Sequence, residues 1–442
     1  MERSKKMYLK TFGCQMNDAD SSKIKNLMSN MNIDTTSDPK DADIILLNTC
    51  SIRWKAEHKV YSMLGTFKDI KKARPDIIIG VGGCVAQQEQ DEMFRKVPHL
   101  DIVFGTHNVH RLPEMISRVQ AERCKVEETN FFDRPEPLVY PAPEEDGVRA
   151  FVNIIRGCNN YCTYCIVPYV RGREASRSSA EIVDEVKSLA GCGVKEVTLL
   201  GQNVNSYGND LGGDIGFPGL LKKVADVEGI TRLRFTTSHP KDLSDGLIEA
   251  FGEIENLANH LHLPVQSGSD KVLAAMKRGY TAASYMKNVE KLRKVRPDIA
   301  ISTDMIVGFP GEEDSDFQKT LALMKEVVYD SAFSFKYSVR PGTAAAKLQD
   351  AVPDDLKSER LASLQSLQKK HSIVRNEAEE GTVQMVLVEG VGRKHSSFLT
   401  GRTSGNKVVN FAGADEFVGQ IVPVKITGST ANALKGEVLH LN

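Results

Sequence analysis

Six of the eight cysteines in this 442-residue chain fall into two sets of three whose spacing suits metal chemistry. Cys158, Cys162 and Cys165 are spaced C-x3-C-x2-C and lie in one loop directly after the strand-like run AFVNIIRG. Thiolates so closely spaced converge without long-range folding, and soft ligands of this kind select iron–sulfur clusters or zinc. A 4Fe–4S cube held by three cysteines keeps one iron open, which marks a cluster that binds a cofactor or substrate. The alternative, a structural zinc loop, needs a fourth ligand from elsewhere, and no nearby His or Cys has the usual paired spacing.

The second set is dispersed in sequence but not in topology. Cys14 ends MYLKTFGC, Cys50 ends DIILLNTC and Cys84 ends DIIIGVGGC, so each follows a strand and precedes a helix. Open parallel sheets gather ligands outside the carboxyl ends of their strands. Adjacent strands lie about 4.8 Å apart, within reach of one cluster. Helix N-termini at that edge stabilise thiolates, and Gly13, Gly82 and Gly83 let backbone approach a bulky group. Taken singly each cysteine reads equally as a buried thiol; three repeating one position favour a second 4Fe–4S cluster. Cys124 and Cys192 are assigned to packing. The histidines form no triad or zinc pair, and His239, near a strand end, is structural or a weak cofactor contact.

The elements that position these residues follow from periodicity. Apolar runs at 7–14, 42–50, 76–84 and 100–105 read as strands, each followed by helical spacing, which predicts an α/β domain with a doubly wound parallel sheet over 1–121. Residues 122–148, with Pro135, Pro137, Pro141 and Pro143 among acidic residues, read as a linker. Alternation resumes with strands near 149–157, 196–201, 232–237, 260–266, 300–307 and 331–339, enough for a partial (β/α)6 barrel within 149–380, whose chemistry belongs at the carboxyl ends of its strands. A trailing helix carrying Leu356, Leu361, Leu364 and Leu367 along one side is expected to pack on that barrel. Short strands at 383–388, 407–411, 420–427 and 436–441, separated by glycine-bearing turns, predict a small β-barrel over 381–442.

Hydrophobic residues make up 41% and charged residues 26%, with 57 basic against 58 acidic side chains and a net charge of −1, so the bulk charge implies no partner. The N-terminus lacks the apolar core and cleavage site of a signal peptide, and no run reaches the roughly 18 apolar residues of a membrane helix. A cytoplasmic protein without a membrane partner is expected, and there cysteines serve metal or redox chemistry rather than disulfides.

The C-x3-C-x2-C spacing at the first barrel strand, with Tyr164 before its last cysteine, resembles the radical S-adenosylmethionine superfamily. NTCSIR at 48–53, the later KAEHKVY, GCVAQQ at 83–88, VFGTHN at 103–108, RGCNNYCTYCIVPYVRGREASR at 156–177 and LPVQSGSDKVLAAMKRGYT at 263–281 extend the resemblance over the whole chain to the methylthiotransferases of that superfamily. The Ser-Ile-Arg after Cys50 is the most discriminating piece. The resemblance implies transfer of a methylthio group to carbon 2 of a prenylated adenosine, N6-dimethylallyladenosine, at tRNA position 37. Two S-adenosylmethionine molecules serve, one as methyl donor and one as source of a 5′-deoxyadenosyl radical, with sulfur held at the auxiliary cluster. Relatives acting on threonylcarbamoyladenosine in tRNA or on a ribosomal protein are the alternative. An electron-donor protein and sulfur or iron–sulfur assembly proteins are implied partners. Where the superfamily often has Gly-Gly-Glu, this chain reads Gly201-Gln202-Asn203. Gln202, Ser238, Gln266 and Asp304, at predicted strand ends, hold the cofactor or adenine, or else cap the following helices. Gly308, Pro310 and Gly311 shape a turn. Arg171, Arg173 and Arg340 reach phosphate or base, or are solvated surface charges. The C-terminal domain resembles the TRAM module, in which Arg393, Lys394, Arg402 and Lys407 are placed to contact RNA.

Overall fold

The computed structural model describes residues 4–51, 54–132, 147–213, 215–349, 352–392 and 398–439. The chain divides into two compact units, one of residues 1–144, 150–159 and 166–177 and one of residues 145–149, 160–165 and 178–442.

The first unit is built on six parallel strands, β1 (Lys5–Thr11), β2 (Ile33–Thr35), β3 (Ile44–Thr49), β4 (Ile78–Gly83), β5 (Ile102–Phe104) and β6 (Val126–Glu128), in the order β2-β1-β3-β4-β5-β6. Alternate residues of β3 serve two cores. Ile44 and Leu46 pack with Ile24, Met28 and Ile116, whereas Ile45 and Leu47 pack with Val60, Leu64 and Phe67. Both faces of the sheet are therefore covered by helices, the doubly wound arrangement expected from the unbroken apolar runs. Two strands lie outside the predicted set. β2 and β6 are three-residue edge strands of sequence IDT and VEE, too short and too polar to show an apolar run. β6 falls within the stretch read as a linker, while Pro135, Pro137, Pro141 and Pro143 lie outside the described residues.

The strands of the central region are β7 (Arg149–Asn153), β8 (Ile155–Arg156), β9 (Ala175–Ser176), β10 (Glu196–Leu200), β11 (Arg232–Phe235), β12 (His260–His262), β13 (Ala300–Val307) and β14 (Ser331–Lys336). β8 and β9 form a small antiparallel pair in the first unit. In the second, β10 pairs parallel with β11, and β12, β13 and β14 pair parallel in sequence order. A bridge from Leu233 to Leu257 links β11 to the segment entering β12. Two of the helices between these strands start at serine caps, Ser178 accepting from Glu181 N and Ser244 from Leu247 N.

The trailing helix Asp354–Glu377 buries the side its leucines lie on, but polar residues fill most of the buried stripe. Only Leu364 of the four is fully buried; the packed stripe is Lys357, Arg360, Leu364, Gln368, His371, Ser372 and Asn376. Three polar members of this stripe reach partners on other elements: Arg360 pairs with Glu312 at 2.8 Å, Gln368 donates to Tyr329 O and Asn376 to Thr430 O. Hydrogen bonds thus satisfy these polar groups on the buried side.

The C-terminal strands β15 (Val383–Val391), β16 (Phe398–Arg402), β17 (Val408–Ala412), β18 (Ile421–Ser429) and β19 (Leu434–Val438) close into a barrel in the order β15-β16-β17-β19-β18. β16, whose glycine and arginine disguise it, is the strand the sequence does not announce. The barrel is held to β11 by two buried arginines. Arg232 donates to Met385 O and Arg402 O, Arg234 donates to Thr403 O and Ser404 O, and Glu196 of β10 lies between them, 2.9 Å from Arg234 Nε and 3.5 Å from Arg232 Nη1. Among the described residues no helix is long and apolar enough to cross a membrane.

Candidate functional site

In the first unit β1, β3 and β4 are neighbours in register, Thr11 opposite Asn48 and Thr49 opposite Gly83. Their carboxyl ends therefore deliver Cys14, Cys50 and Cys84 to one edge, as the strand-end argument requires. Cys14 caps the helix Gln15–Ser29, and Cys84 opens the helix Cys84–Glu89. Gly13, at φ +133°, brings the chain so close that a Cβ there would stand 2.4 Å from Cys50 Cβ. Gly83, at φ +90°, would place one 2.4 Å from Thr49 O. Asn17 and Asn48 lock the edge: Asn17 Nδ2 donates to Asn48 Oδ1 and Thr49 O, and Asn48 Nδ2 returns to Asn17 O and Ser21 Oγ.

Burial and a nearby cation act in opposite directions on the cysteines of this edge. A hydrogen bond from Cys50 pulls the Cys14 thiol down to about 6 against the opposing effect of burial, with help from the Arg171 charge. Burial pushes Cys84 up, and Arg171, hydrogen-bonded to it, counteracts. Arg171 itself is buried and pairs with Asp20 at 2.9 Å. The guanidinium of Arg171 is thus engaged by Asp20 inside the first unit rather than solvated at the surface. Arg173, by contrast, is exposed. His107 fixes the backbone of the Arg171 turn, its Nε2 3.0 Å from Arg171 O while Nδ1 accepts from Phe132 N, which makes it the neutral Nε2–H tautomer.

The boundary between units runs through the cysteine loop, with Cys158 in the first and Cys162 and Cys165 in the second. Cys158 N donates to Gly172 O. In the second unit Thr163 N donates to Met276 O and Thr163 Oγ1 to Ala275 O, tying the loop to the segment after β12. Tyr164 packs against Val272, Met276, Phe309, Tyr337 and Ala345. Arg278, which the sequence reading passed over within LPVQSGSDKVLAAMKRGYT, approaches Cys162 Sγ at 3.3 Å and Tyr164 OH at 3.4 Å. Its other donors reach Tyr280 OH and Pro264 O, and the guanidinium lies over the Tyr280 ring. Burial opposes its charge, yet Tyr164, Tyr280 and Cys162 hold it well above the ordinary arginine value. Only its adjacency to GYT in a segment following a strand hinted at a role.

The strand-end polar residues divide. Gly201 and Gln202 directly follow β10. Ser238 is buried and donates to His262 O, a structural bond. Gln266 has φ +70° and Thr237 φ +68°, the latter rare for a β-branched residue, so strain gathers at the strand ends where function is expected. Asp304 lies within β13 rather than at its end, with Oδ2 3.5 Å from His262 Nε2. His239 accepts from Lys241 N through Nδ1, while its buried Nε2 has no hydrogen-bond partner. Burial pulls His239 down to about 2, so that Nε2 is a neutral donor.

Of the RNA-directed residues, Arg340 is half-buried, Arg402 pairs with Glu389 at 3.1 Å, and Arg393 and Lys394 lie outside the described residues. Lys407 is spent on Asp330 and Glu379, both within 3.2 Å, so it is not free for RNA. Cys124 packs partly against the first core, whereas Cys192, expected to be packed, is exposed at the end of the helix Ser179–Gly191.

Among the described residues no three His, Cys, Asp or Glu side chains stand as a ready metal-holding group. The donor chemistry nevertheless fits iron–sulfur clusters: cysteine sulfurs meet at one sheet edge with a buried guanidinium against them, and a second guanidinium faces Cys162.

Comparison with known proteins agrees. Residues 6–105 match a family described as uncharacterized protein family UPF0004, residues 152–324 the radical SAM superfamily and residues 377–439 the TRAM domain. The chain is 52% identical over 442 residues to a tRNA-2-methylthio-N(6)-dimethylallyladenosine synthase of Citrifermentans bemidjiense, covering 100% of both. It is 51% identical over 436 residues to one of Syntrophus aciditrophicus, covering 98% of this chain and 95% of the relative. In fold it resembles a radical S-adenosylmethionine methyltransferase of Kitasatospora setae solved with cobalamin and a 4Fe–4S cluster, with a TM-score of 0.56 at 13% identity over 78% of this chain and 74% of that one. With cysteines at three adjacent strand ends, a C-x3-C-x2-C loop and this identity along its whole length, the chain belongs to the tRNA-2-methylthio-N(6)-dimethylallyladenosine synthase family of the radical SAM superfamily.

Proposed function

We infer that this chain adds a methylthio group to carbon 2 of N6-dimethylallyladenosine at position 37 of tRNA, using two molecules of S-adenosylmethionine. The observation that carries the reading is full-length identity of about half to relatives named for that product. Cys158, Cys162 and Cys165 hold one 4Fe–4S cluster, and Cys14, Cys50 and Cys84 hold the other. When bound, such a cluster supplies either the electron that cleaves S-adenosylmethionine or a docking point for the transferred sulfur.

The chain's own residues do the positioning. Asn17 and Asn48 fix the edge that presents Cys14, Cys50 and Cys84. Tyr164 shields the loop, and the strained Gln266 backbone, with Gly201, Gln202 and Asp304, faces the cofactor. The unpartnered Nε2–H of His239 donates to it, since a buried donor left without an acceptor costs about 1–3 kcal/mol. Arg173, Arg340 and the TRAM barrel, including Arg393, Lys394 and Arg402, serve RNA binding. A cytoplasmic setting, an electron-donor protein and sulfur or iron–sulfur assembly proteins complete the reading.

The test is anaerobic reconstitution followed by incubation with prenylated tRNA, S-adenosylmethionine and a reductant. The expected result is a methylthio mass gain on the adenosine and none on unprenylated tRNA. Joint replacement of Cys14, Cys50 and Cys84 by Ala retains 5′-deoxyadenosine formation and loses the mass gain, whereas replacement of Cys158, Cys162 and Cys165 loses both. Mass gain on unprenylated tRNA or on a protein would overturn the assignment.

A further inference from the structure

We propose that Arg278 is a positioning residue for the radical-site cysteines: its guanidinium, hydrogen-bonded to Cys162 Sγ, orients that sulfur and raises the reduction potential of the cluster bound there. This rests on the assignment of Cys158, Cys162 and Cys165 to a cluster.

A buried guanidinium is expensive unless an anion meets it. Arg278 is 5% exposed, and among the described residues no carboxylate pairs with it. Its neighbours are Pro264 O, the hydroxyls of Tyr164 and Tyr280, and Cys162 Sγ at 3.3 Å. Of these, only the sulfur belongs to a residue assigned to the cluster. The other buried arginines of this unit differ, because Arg232 and Arg234 share Glu196, and Arg360 has Glu312. Oxygen acceptors alone would be served as well by a neutral amide, so the retained charge points to a negative partner.

A 4Fe–4S cube with three thiolates is negative, and reduction adds one more charge. A fixed cation against one thiolate stabilises the reduced form more than the oxidised form, and hydrogen bonds to the sulfurs act in the same direction. The geometry also holds the loop: Arg278 bridges Cys162 and Tyr164 from the segment that binds Thr163 through Met276 O and Ala275 O.

The experiment is an EPR-monitored redox titration of the full-length chain, reconstituted anaerobically, with Cys14, Cys50 and Cys84 replaced by Ala so that one cluster is read. Arg278→Gln and Arg278→Lys are compared in that background. At a fixed poise near the parent midpoint, Arg278→Gln is expected to lower the ratio of reduced to oxidised cluster at least tenfold, a shift of about 59 mV for a one-electron couple. Arg278→Lys, which keeps the charge, stays within about threefold of the parent. Cluster uptake by the Lys variant but not by the Gln variant supports the proposal equally. Any result in which Lys and Gln behave alike, whether both unchanged, both shifted or both without cluster, overturns it. A parent chain that binds no cluster overturns the cluster assignment as well, which separates the two failures.

Discussion

Replacing Glu196 by Gln should destabilise the second unit at the point where β10 and β11 meet the C-terminal barrel. Glu196 is the one carboxylate among Arg232, Arg234 and four backbone carbonyls, and the three side chains are each less than a tenth exposed. Burial and the Arg234 charge already pull Arg232 down to about 10, so the arrangement carries two cations on one anion. Gln keeps an acceptor for Arg234 Nε but removes the one carboxylate in contact with both arginines, leaving Glu389 as the more distant negative charge on Arg232. Removing one partner of a buried pair costs about 3–5 kcal/mol, because the other charge stays behind without compensation. The lower end applies where a hydrogen bond survives. At about 2–4 °C per kcal/mol for a unit of this size, a loss near 3 kcal/mol lowers the melting midpoint by about 6–12 °C. Calorimetry of the full-length chain reads this directly. The double variant Glu196→Gln with Arg232→Gln, which leaves a single cation, should recover at least about 1 kcal/mol of the loss. A midpoint lowered by less than about 2 °C, or strictly additive losses in the double variant, would refute the account.

Three further outcomes follow from named contacts. Gly13→Ala forces a Cβ to 2.4 Å from Cys50 Cβ at φ +133°, so iron bound at the first unit should fall by at least half, measured by iron content, while the Cys158, Cys162 and Cys165 cluster persists. His107, held neutral, is pulled down to about 4, first by burial and then by Arg156. Its folded value lies below its unfolded one, so its contribution is complete above about pH 6.5 and declines as pH falls toward 4; by pH 5 the wild type should have lost about 2 kcal/mol that His107→Gln does not lose, seen in paired denaturant titrations. His239→Ala removes the buried Nε2 donor that has no partner, together with the Nδ1 acceptor of Lys241 N, so S-adenosylmethionine affinity by calorimetry should weaken about tenfold in a variant chain that still melts cooperatively.

Much of the molecule was legible because its signals are local. The apolar runs of β1, β3, β4 and β5, each punctuated by a helix, imply a parallel sheet wherever they occur, and a cysteine at a strand end stays there in any packing of that sheet. β2, β6 and β16 escaped because three-residue edge strands and a glycine-bearing strand lack the periodicity of buried ones. The helix Asp354–Glu377 was legible, but the polar residues that fill its buried stripe were not. Leu356, Leu361 and Leu367 are only half-buried, while Arg360, Gln368 and Asn376 bury against Glu312, Tyr329 O and Thr430 O. A leucine stripe announces itself in the sequence, whereas a polar stripe depends on partners dozens of residues away.

Arginine is where sequence reading is weakest, for the same reason. Arg171 and Arg278 each carry one charge in a run of ordinary composition, and nothing in the sequence separates a solvated guanidinium from a buried one. The cysteines and the strand-to-helix positions that carry them follow from covalent spacing and hydrophobic period, so two candidate sulfur-rich sites could be read before any folding. Tertiary packing alone decided that Arg171 meets Asp20 and Cys84, and that Arg278 meets Cys162. The energy of a charge depends on what surrounds it in three dimensions, and that surrounding is assembled from segments far apart in the chain, 151 residues for Asp20 and Arg171 and 116 for Cys162 and Arg278.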